Sequence, residues 1–188
     1  MVILVGESGS GKSSIEKYLV ENYGFKKTIS YTTRPMRDGE VDGIDYHFIS
    51  VEQFNKLKEQ DFFAEDAIYR GWYYGTAKED CTNDKVAVLT PHGLKQISKT
   101  KDIDVISFYI CVPRRDRLIK ILQRGDDIEE AYRRSLSDVG MFDGIKDEVD
   151  FVLFNDGYAL SVELMTNLVI DRVNKKIEYK NYILFFVC

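Results

Sequence analysis

The sequence of 188 residues lacks long apolar runs, paired cysteines and an excess of positive charge. No stretch approaches the roughly 20 consecutive apolar residues that a membrane-spanning helix needs. Met1 leads into the first strand without a charged segment or a cleavage site, so no secretory signal is predicted. Cys81, Cys111 and Cys188 have neither paired nor metal-binding spacing, which is typical of a reducing compartment. We therefore expect a cytoplasmic protein without membrane association.

The charge balance narrows the class of partner. A net charge of −5 argues against bulk electrostatic binding to nucleic acid or to an anionic membrane. Small phosphate compounds are not excluded, because a local cluster of arginines recognises one phosphate whatever the overall charge. Hydrophobic residues make up 44% of the chain, which favours one compact domain with insertions over two independent domains.

A glycine-rich segment, GESGSGKSS, follows an apolar run near the start of the chain. Its spacing G-x-x-x-x-G-K-S over residues 6–13 is the P-loop pattern, in which backbone N–H groups surround phosphate oxygens at a helix N-terminus. Val2–Val5 has the composition of a buried strand and Ser14–Val20 has helical periodicity, so the order of elements fits the motif. The pattern therefore favours a nucleotide phosphate site over a flexible turn with a solvated lysine.

A second candidate phosphate site lies in the segment SYTTRPMRDGEVDGIDY, residues 30–46. Pro35 biases Arg34 towards an extended backbone, so that the guanidinium groups of Arg34 and Arg37 are free to converge on one anion. Two glycines further along permit tight turns that would carry the Tyr46 hydroxyl to the same anion. A phosphate monoester matches these donors, although the residues alone leave open a charged surface loop with incidental arginines.

Hydrophobic patterning predicts the remaining elements and an inserted substrate module. Strands are predicted at residues 27–31, 85–89, 104–111 and 151–154, and hairpin-like runs at residues 45–49 and 67–74. Helices are predicted at residues 51–59, 93–98, 114–123, 128–139 and 158–173. The alternation of strands and helices outside the middle segment indicates an α/β protein with a parallel sheet.

These motifs, with Glu65 before the predicted hairpin and a Tyr-Tyr-Gly-Thr run after it, make residues 2–156 resemble the guanylate kinase family. The resemblance implies a P-loop NTPase fold, a three-layer α/β structure around a parallel sheet with an inserted mixed β module that binds the nucleoside monophosphate, and a helical lid. The implied divisions are a core of residues 1–31, 81–123 and 140–175, a GMP-binding insertion of residues 32–80, a lid of residues 124–139, and a tail of residues 176–188 without an assigned role.

The resemblance also implies ATP and GMP as small-molecule partners and Mg²⁺ as the metal, with Ser13 as its protein ligand. The implied ATP-binding residues are Gly6, Ser8, Gly9, Ser10, Gly11, Lys12, Ser13, Ser14 and Asn155. The implied GMP-binding residues are Ser30, Arg34, Arg37, Tyr46, Glu65, Tyr74 and Thr76. The implied catalytic residues are Lys12, Arg34, Arg124 and Arg134, with Arg133 left open as the alternative to Arg134 in the lid.

The chain departs from the family on the strand at residues 85–89. Val88 and Thr90 stand where relatives carry two acidic residues that are thought to organise the metal's water shell and the acceptor nucleotide. The leading prediction is ATP-dependent phosphorylation of GMP, and of dGMP because no residue is assigned to the ribose 2′-hydroxyl. Two alternatives stay open: a guanylate-kinase-like interaction module without turnover, which the intact P-loop disfavours, and a sister kinase acting on another nucleoside monophosphate.

Overall fold

The computed structural model describes residues 1–100 and 103–186, with side chains as far as residue 176. The strands are β1 (Val2–Val5), β2 (Lys26–Lys27), β3 (Tyr31–Thr32), β4 (His47–Phe48), β5 (Phe63–Tyr69), β6 (Trp72–Ala77), β7 (Lys85–Val88), β8 (Ile106–Cys111) and β9 (Phe151–Phe154). The α-helices are α1 (Lys12–Tyr23), α2 (Val51–Glu59), α3 (Pro91–Ile97), α4 (Arg114–Gln123), α5 (Ile128–Ser137), α6 (Ile145–Glu148) and α7 (Val162–Phe186). The predicted α/β class is confirmed.

The core is a parallel sheet of five strands in the order β2-β7-β1-β8-β9. Strand β1 is central and buried along its whole length, as its unbroken apolar run predicts. Successive side chains of a strand point to opposite faces, so Leu4 packs with Leu19 of α1 and Val169 of α7, whereas Ile3 packs with Ile97 of α3. Helices therefore cover both faces, and the predicted three layers are present.

A second sheet of four strands, in the order β4-β3-β6-β5, is built from the middle of the chain. Strands β5 and β6 form an antiparallel hairpin, and the pairing of Tyr69 with Trp72 leaves a two-residue turn between them. Helix α2 packs against this hairpin, where the rings of Phe54 and Phe63 stack with centroids 4.5 Å apart. The mixed sheet predicted for the insertion is confirmed, because β3 pairs in parallel with β4 and antiparallel with β6.

Some predicted elements differ from the structure. The single strand predicted at residues 27–31 is wrong, because β2 ends in the core sheet and β3 begins in the second sheet, with the Thr28 N–H bonded to the Val86 carbonyl between them. The last helix begins at Val162 rather than at residue 158, because Gly157 and Tyr158 have positive φ angles of 56° and 55°. Helix α6 was not predicted.

The tail predicted at residues 176–188 overlaps the end of α7, and its side chains from residue 177 lie outside the described residues. A search of the described helices finds none that is both long and apolar enough to cross a membrane.

Candidate active site

The P-loop connects β1 to α1 and folds around its own lysine. The ammonium group of Lys12 donates to the carbonyl oxygens of Gly6 at 2.6 Å and Glu7 at 2.9 Å, and lies 3.4 Å from Ser10 Oγ. Gly9 has a φ angle of 82°, and a Cβ atom there would lie 2.9 Å from the carbonyl oxygen of Arg117. Only glycine fits this position, because a side chain would be strained and would meet rigid backbone.

The environment of Lys12 favours an anion beside it. Burial lowers the pKa of Lys12 to about 8, while the negative charges of Asp138 and Glu7 partly oppose that shift. A buried ammonium gains more from a neighbouring phosphate than an exposed one does, because water screens the attraction less. The loop therefore combines backbone N–H groups, a helix N-terminus and a desolvated positive charge.

Sequence reasoning missed the contacts of two acidic residues, Glu7 within the P-loop and Asp138 beside it. Asp138 accepts hydrogen bonds from the Ser8 N–H at 2.8 Å and from the Tyr69 hydroxyl at 3.2 Å. Glu7 accepts from the Tyr109 hydroxyl at 2.9 Å and from Arg117 Nη2 at 3.4 Å. No motif marks these contacts, because the partners are far apart in sequence and meet only in the folded chain.

The predicted acceptor arginines lie together at the start of the second sheet. Arg34 donates to both carboxylate oxygens of Glu40, from Nη1 at 3.0 Å and from Nη2 at 2.7 Å. Its guanidinium carbon lies 5.4 Å from the centroid of the Tyr46 ring, which is 6.0 Å from the ring of Tyr74. Burial raises the pKa of Tyr46 to about 12, so its hydroxyl stays protonated and able to donate.

Positive charge accumulates around Arg37. Burial, followed by the charges of Arg34 and Arg134, lowers the pKa of Arg37. Arg134 of α5 therefore lies within electrostatic range of Arg34 and Arg37. Glu40 accepts from Arg34, and Asp126 and Glu130 accept from Arg134, so carboxylates offset the charge of this cluster.

The three residues implied for the base form one hydrogen-bonded row. Ser30 Oγ lies 3.3 Å from Thr76 Oγ1, and the Thr76 hydroxyl donates to Glu65 Oε1 at 2.7 Å. Glu65 is only 4% exposed, and burial raises its pKa to about 7 against the opposing hydrogen bond from Thr76. Helix α3 closes the other side, where a Cβ atom on Gly93 would come within 2.6 Å of Glu65 Oε2.

The adjacent lid arginines have different surroundings. The side chain of Arg133 is 73% exposed, whereas that of Arg134 is 15% exposed. Arg134 donates from Nε to Glu130 at 2.8 Å and from Nη1 to Asp126 at 2.8 Å. Helix α5 thus directs Arg134 towards Arg37 and leaves Arg133 at the surface.

Two other implied residues have contacts of a different kind. Arg124 is 61% exposed in its side chain and donates to Asp126, whose carboxylate also accepts from Arg134. Asn155 is buried, and its amide exchanges two hydrogen bonds with the backbone of Leu160, at 3.0 Å and 2.9 Å. Asn155 therefore fixes the loop that precedes α7 in this structure.

The two positions that depart from the family pattern have structural roles. Val88 pairs with Leu4 in the core sheet, and the Thr90 hydroxyl caps α3 by accepting from the Gly93 N–H at 3.1 Å. Among the described side chains, as far as residue 176, no group of three or more His, Cys, Asp and Glu is arranged to hold a metal ion. Ser13 follows the P-loop lysine directly and is exposed in the first turn of α1.

The chain is similar to known proteins over most of its length. The sequence model of the family named Guanylate kinase matches residues 1–170. A guanylate kinase from Baumannia cicadellinicola is 33% identical, with 97% of each chain covered. One from Photobacterium profundum is 36% identical over 84% of this chain and 80% of its own length.

A solved structure shares the fold of this chain. The crystal structure of guanylate kinase from Anaplasma phagocytophilum superposes with a TM-score of 0.68 at 20% identity, covering 94% of this chain and 85% of that one. At this identity the likeness concerns the fold alone. With the family model and the curated relatives, the conclusion is plain: this chain belongs to the guanylate kinase family.

Proposed function

We propose that the protein transfers the γ-phosphoryl group of ATP to GMP and produces ADP and GDP. One observation carries the choice of acceptor. The buried carboxylate of Glu65, hydrogen-bonded to Thr76, lies on β5 of the inserted sheet, and Arg34 and Arg37 follow β3 of the same sheet. A module with one group that can bind a base and another that can bind a phosphate suits a nucleoside monophosphate.

The chemistry of Glu65 favours guanine over adenine. Guanine presents N1–H and its exocyclic amino group side by side, and an ionised carboxylate accepts from both. Adenine would place a ring acceptor against that carboxylate and leave a buried charge unpaired. Sites of this kind discriminate by roughly 10⁴-fold, because the wrong ligand deprives the protein of a required hydrogen bond.

Transfer requires alignment and neutralisation rather than a nucleophile from the protein. An oxygen of the GMP phosphate forms the new bond to the γ-phosphorus, while the bond from that phosphorus to the β–γ bridging oxygen breaks and leaves ADP. Lys12 would hold the β- and γ-phosphate oxygens, and Arg34, Arg37 and Arg134 would offset the charge on the acceptor and on the transferring group. The phosphate charges of the substrates would offset the repulsion that Arg34 and Arg134 exert on Arg37.

The residues present fit Mg²⁺ bound mainly through the substrate. Mg²⁺ prefers six oxygen ligands and commonly keeps several waters and phosphate oxygens, so one hydroxyl from the protein is a compatible donor set. Ser13 would supply that hydroxyl from the exposed first turn of α1. When bound, the ion would neutralise phosphate charge. Val88 and Thr90 offer no carboxylate to its water shell.

We also propose functions for the segments of the chain and a second acceptor nucleotide. We assign acceptor binding to residues 32–80, the lid to residues 124–139 and donor binding to the P-loop core. dGMP is a second acceptor, because the assigned residues contact base and phosphate but not the 2′-hydroxyl. Cys81 and Cys111 are free thiols, which supports a cytoplasmic location.

A coupled assay of ADP formation tests the proposal. ATP and Mg²⁺ would be supplied with GMP, dGMP, AMP, CMP or UMP in turn, with a Lys12→Met variant as the negative control. We expect turnover with GMP and dGMP, and rates lower by at least about 10³-fold with the other acceptors. Turnover with a different monophosphate would identify a sister kinase. No turnover with any acceptor would leave an interaction module as the remaining function.

A further inference from the structure

Arg70 occupies a backbone conformation that suits other residues better. It forms with Gly71 the two-residue turn of the β5–β6 hairpin, and their φ angles are 57° and 80°. Positive φ at both central residues defines a type I′ turn, for which Asn-Gly is the preferred sequence. An arginine at the first position is strained, so the turn itself gives no reason for this side chain.

The Arg70 side chain is directed inward from the turn. It is only 15% exposed, and Nη1 donates to Glu130 Oε1 of α5 at 3.2 Å. Its guanidinium carbon lies 4.9 Å from the centroid of the Tyr69 ring. Among the described residues, however, Nε and Nη2 are buried and have no hydrogen-bond partner.

The two unpartnered nitrogens form one functional edge. The N–H bond of Nε and one N–H bond of Nη2 lie parallel to each other in the guanidinium plane, along one edge of the group. This edge can bind two oxygens of a carboxylate or phosphate. Leaving buried donors unpaired is costly, and the stacking of the plane on Tyr69 does not satisfy them. Arg70 therefore presents an intact site for a bidentate oxyanion.

The edge of Arg70 lies near Arg134 and the P-loop. Glu130 Oε1 accepts from Arg134 Nε at 2.8 Å as well as from Arg70, so two guanidinium groups converge on one oxygen. The Tyr69 hydroxyl lies 3.4 Å from Ser8 Oγ in the P-loop. Arg70 thus lies between the lid and the donor loop, beside the guanidinium cluster described above.

Building on the phosphotransferase activity proposed above, we propose that Arg70 is an additional phosphate-binding residue of the transfer site. Its Nε and Nη2 groups bind two oxygens of the phosphoryl group as this passes from ATP to the GMP phosphate. Before the substrates bind, Glu130 holds Arg70 in place as a hydrogen-bond acceptor that Arg70 shares with Arg134. Glu130 lies on α5, in the segment proposed above as the lid, so we expect movement of that segment to open this edge to the substrates.

The Arg70→Asn variant separates this role from a structural one. Asn-Gly suits the turn, so the variant is expected to melt at the same temperature as the unaltered protein or higher. With ATP and GMP, kcat is expected to fall by about 10²-fold, as on removal of other transition-state donors. Calorimetric Kd values for ATP and for GMP should change by less than about threefold, because the contact forms mainly during transfer.

Two further variants complete the test. Arg70→Lys keeps the charge without the paired edge and should lose nearly as much kcat as Arg70→Asn. Arg133→Gln is the matched control, because Arg133 also pairs with Glu130 but is exposed at the surface. Its kcat should stay within about twofold of the unaltered protein. Guanidinium ions at low millimolar concentration should restore part of the kcat of an Arg70→Gly variant.

The outcomes are distinguishable. An active protein whose Arg70→Asn variant retains kcat within about twofold overturns the role of Arg70 and leaves the proposed function intact. A loss of kcat that follows a lowered melting temperature, without rescue by guanidinium, also overturns it. An unaltered protein that is inactive with every monophosphate overturns the proposed function, and the role of Arg70 with it.

Discussion

Asp138 Oδ2 accepts a hydrogen bond of 2.8 Å from the backbone N–H of Ser8, across 130 positions of sequence. Asp138 follows the last residue of α5, and Ser8 lies in the P-loop. Oδ1 of the same carboxylate accepts from the Tyr69 hydroxyl on the second sheet, and Arg117 Nη1 lies 3.7 Å from Oδ2. The end of α5, the P-loop and the second sheet therefore meet at one buried carboxylate.

Removal of that carboxylate should destabilise the fold. Asp138→Ala would leave the Ser8 N–H and the Tyr69 hydroxyl without their acceptor and the charge of Arg117 less balanced. We expect a loss of about 1–3 kcal/mol in the free energy of unfolding, measured by urea titration. Asp143→Ala is the control, because Asp143 is exposed, and its midpoint should be unchanged. Equal midpoints for the two variants would contradict the central role of Asp138.

Glu65→Gln should lower acceptor selectivity more than donor affinity. The amide keeps the bond from Thr76 but presents only one acceptor oxygen to guanine and sets an N–H₂ group against its donors. We expect kcat/KM for GMP to fall by at least about 10²-fold while KM for ATP changes by less than about threefold. The ratio of the GMP rate to the AMP rate is the decisive measurement. Equal losses for both acceptors would remove Glu65 from base recognition.

The pH dependence of stability should change in the same variant. Burial raises the pKa of Glu65 from 4.5 to about 7, so the folded protein binds more protons at this site than the unfolded chain between those values. Its contribution to stability is therefore present below pH 4.5 and lost as pH rises towards 7. Glu65→Gln cannot ionise, and its melting temperature relative to the unaltered protein should be higher at pH 8 than at pH 5. Glu16, whose pKa burial also raises, is present in both proteins and cancels.

Elements with local causes were predictable from sequence. Helix α2 runs over the predicted residues 51–59 because Ser50 and Gln53 form a reciprocal capping box at its start. The P-loop, its preceding strand and its following helix were equally clear, since glycine spacing and apolar runs encode them directly. The strand predicted at residues 27–31 was wrong for a non-local reason. Its first part pairs in the core sheet and its last residue in the second sheet, and a local pattern does not encode that division.

The candidate site shows the same division. Arg34 was recognisable from its motif, whereas its pairing with Glu40 depends on how the intervening loop folds. The choice between Arg133 and Arg134 depends on the rotation of α5 about its axis, which adjacent arginines do not specify. No sequence motif marks Arg70. Its interest comes from a strained turn and from unpaired buried nitrogens, which arise only in the folded chain.

Gly93→Ala should disturb GMP binding without touching the nucleotide. Gly93 lies in the first turn of α3, where alanine is better for the helix by about 1 kcal/mol. The added Cβ would lie 2.6 Å from Glu65 Oε2 and 3.2 Å from Cδ, so the carboxylate has to move while the backbone stays.

We expect KM for GMP to rise by about tenfold or more, KM for ATP to stay constant and the melting temperature not to fall. Lys95→Ala on the exposed face of α3 controls for general effects on the helix. Because the Glu65 carboxylate is retained, a rise in KM for GMP in Gly93→Ala would assign recognition to the position of the carboxylate and not merely to its presence. An unchanged KM for GMP would mean that Glu65 binds guanine from another rotamer or does not bind it.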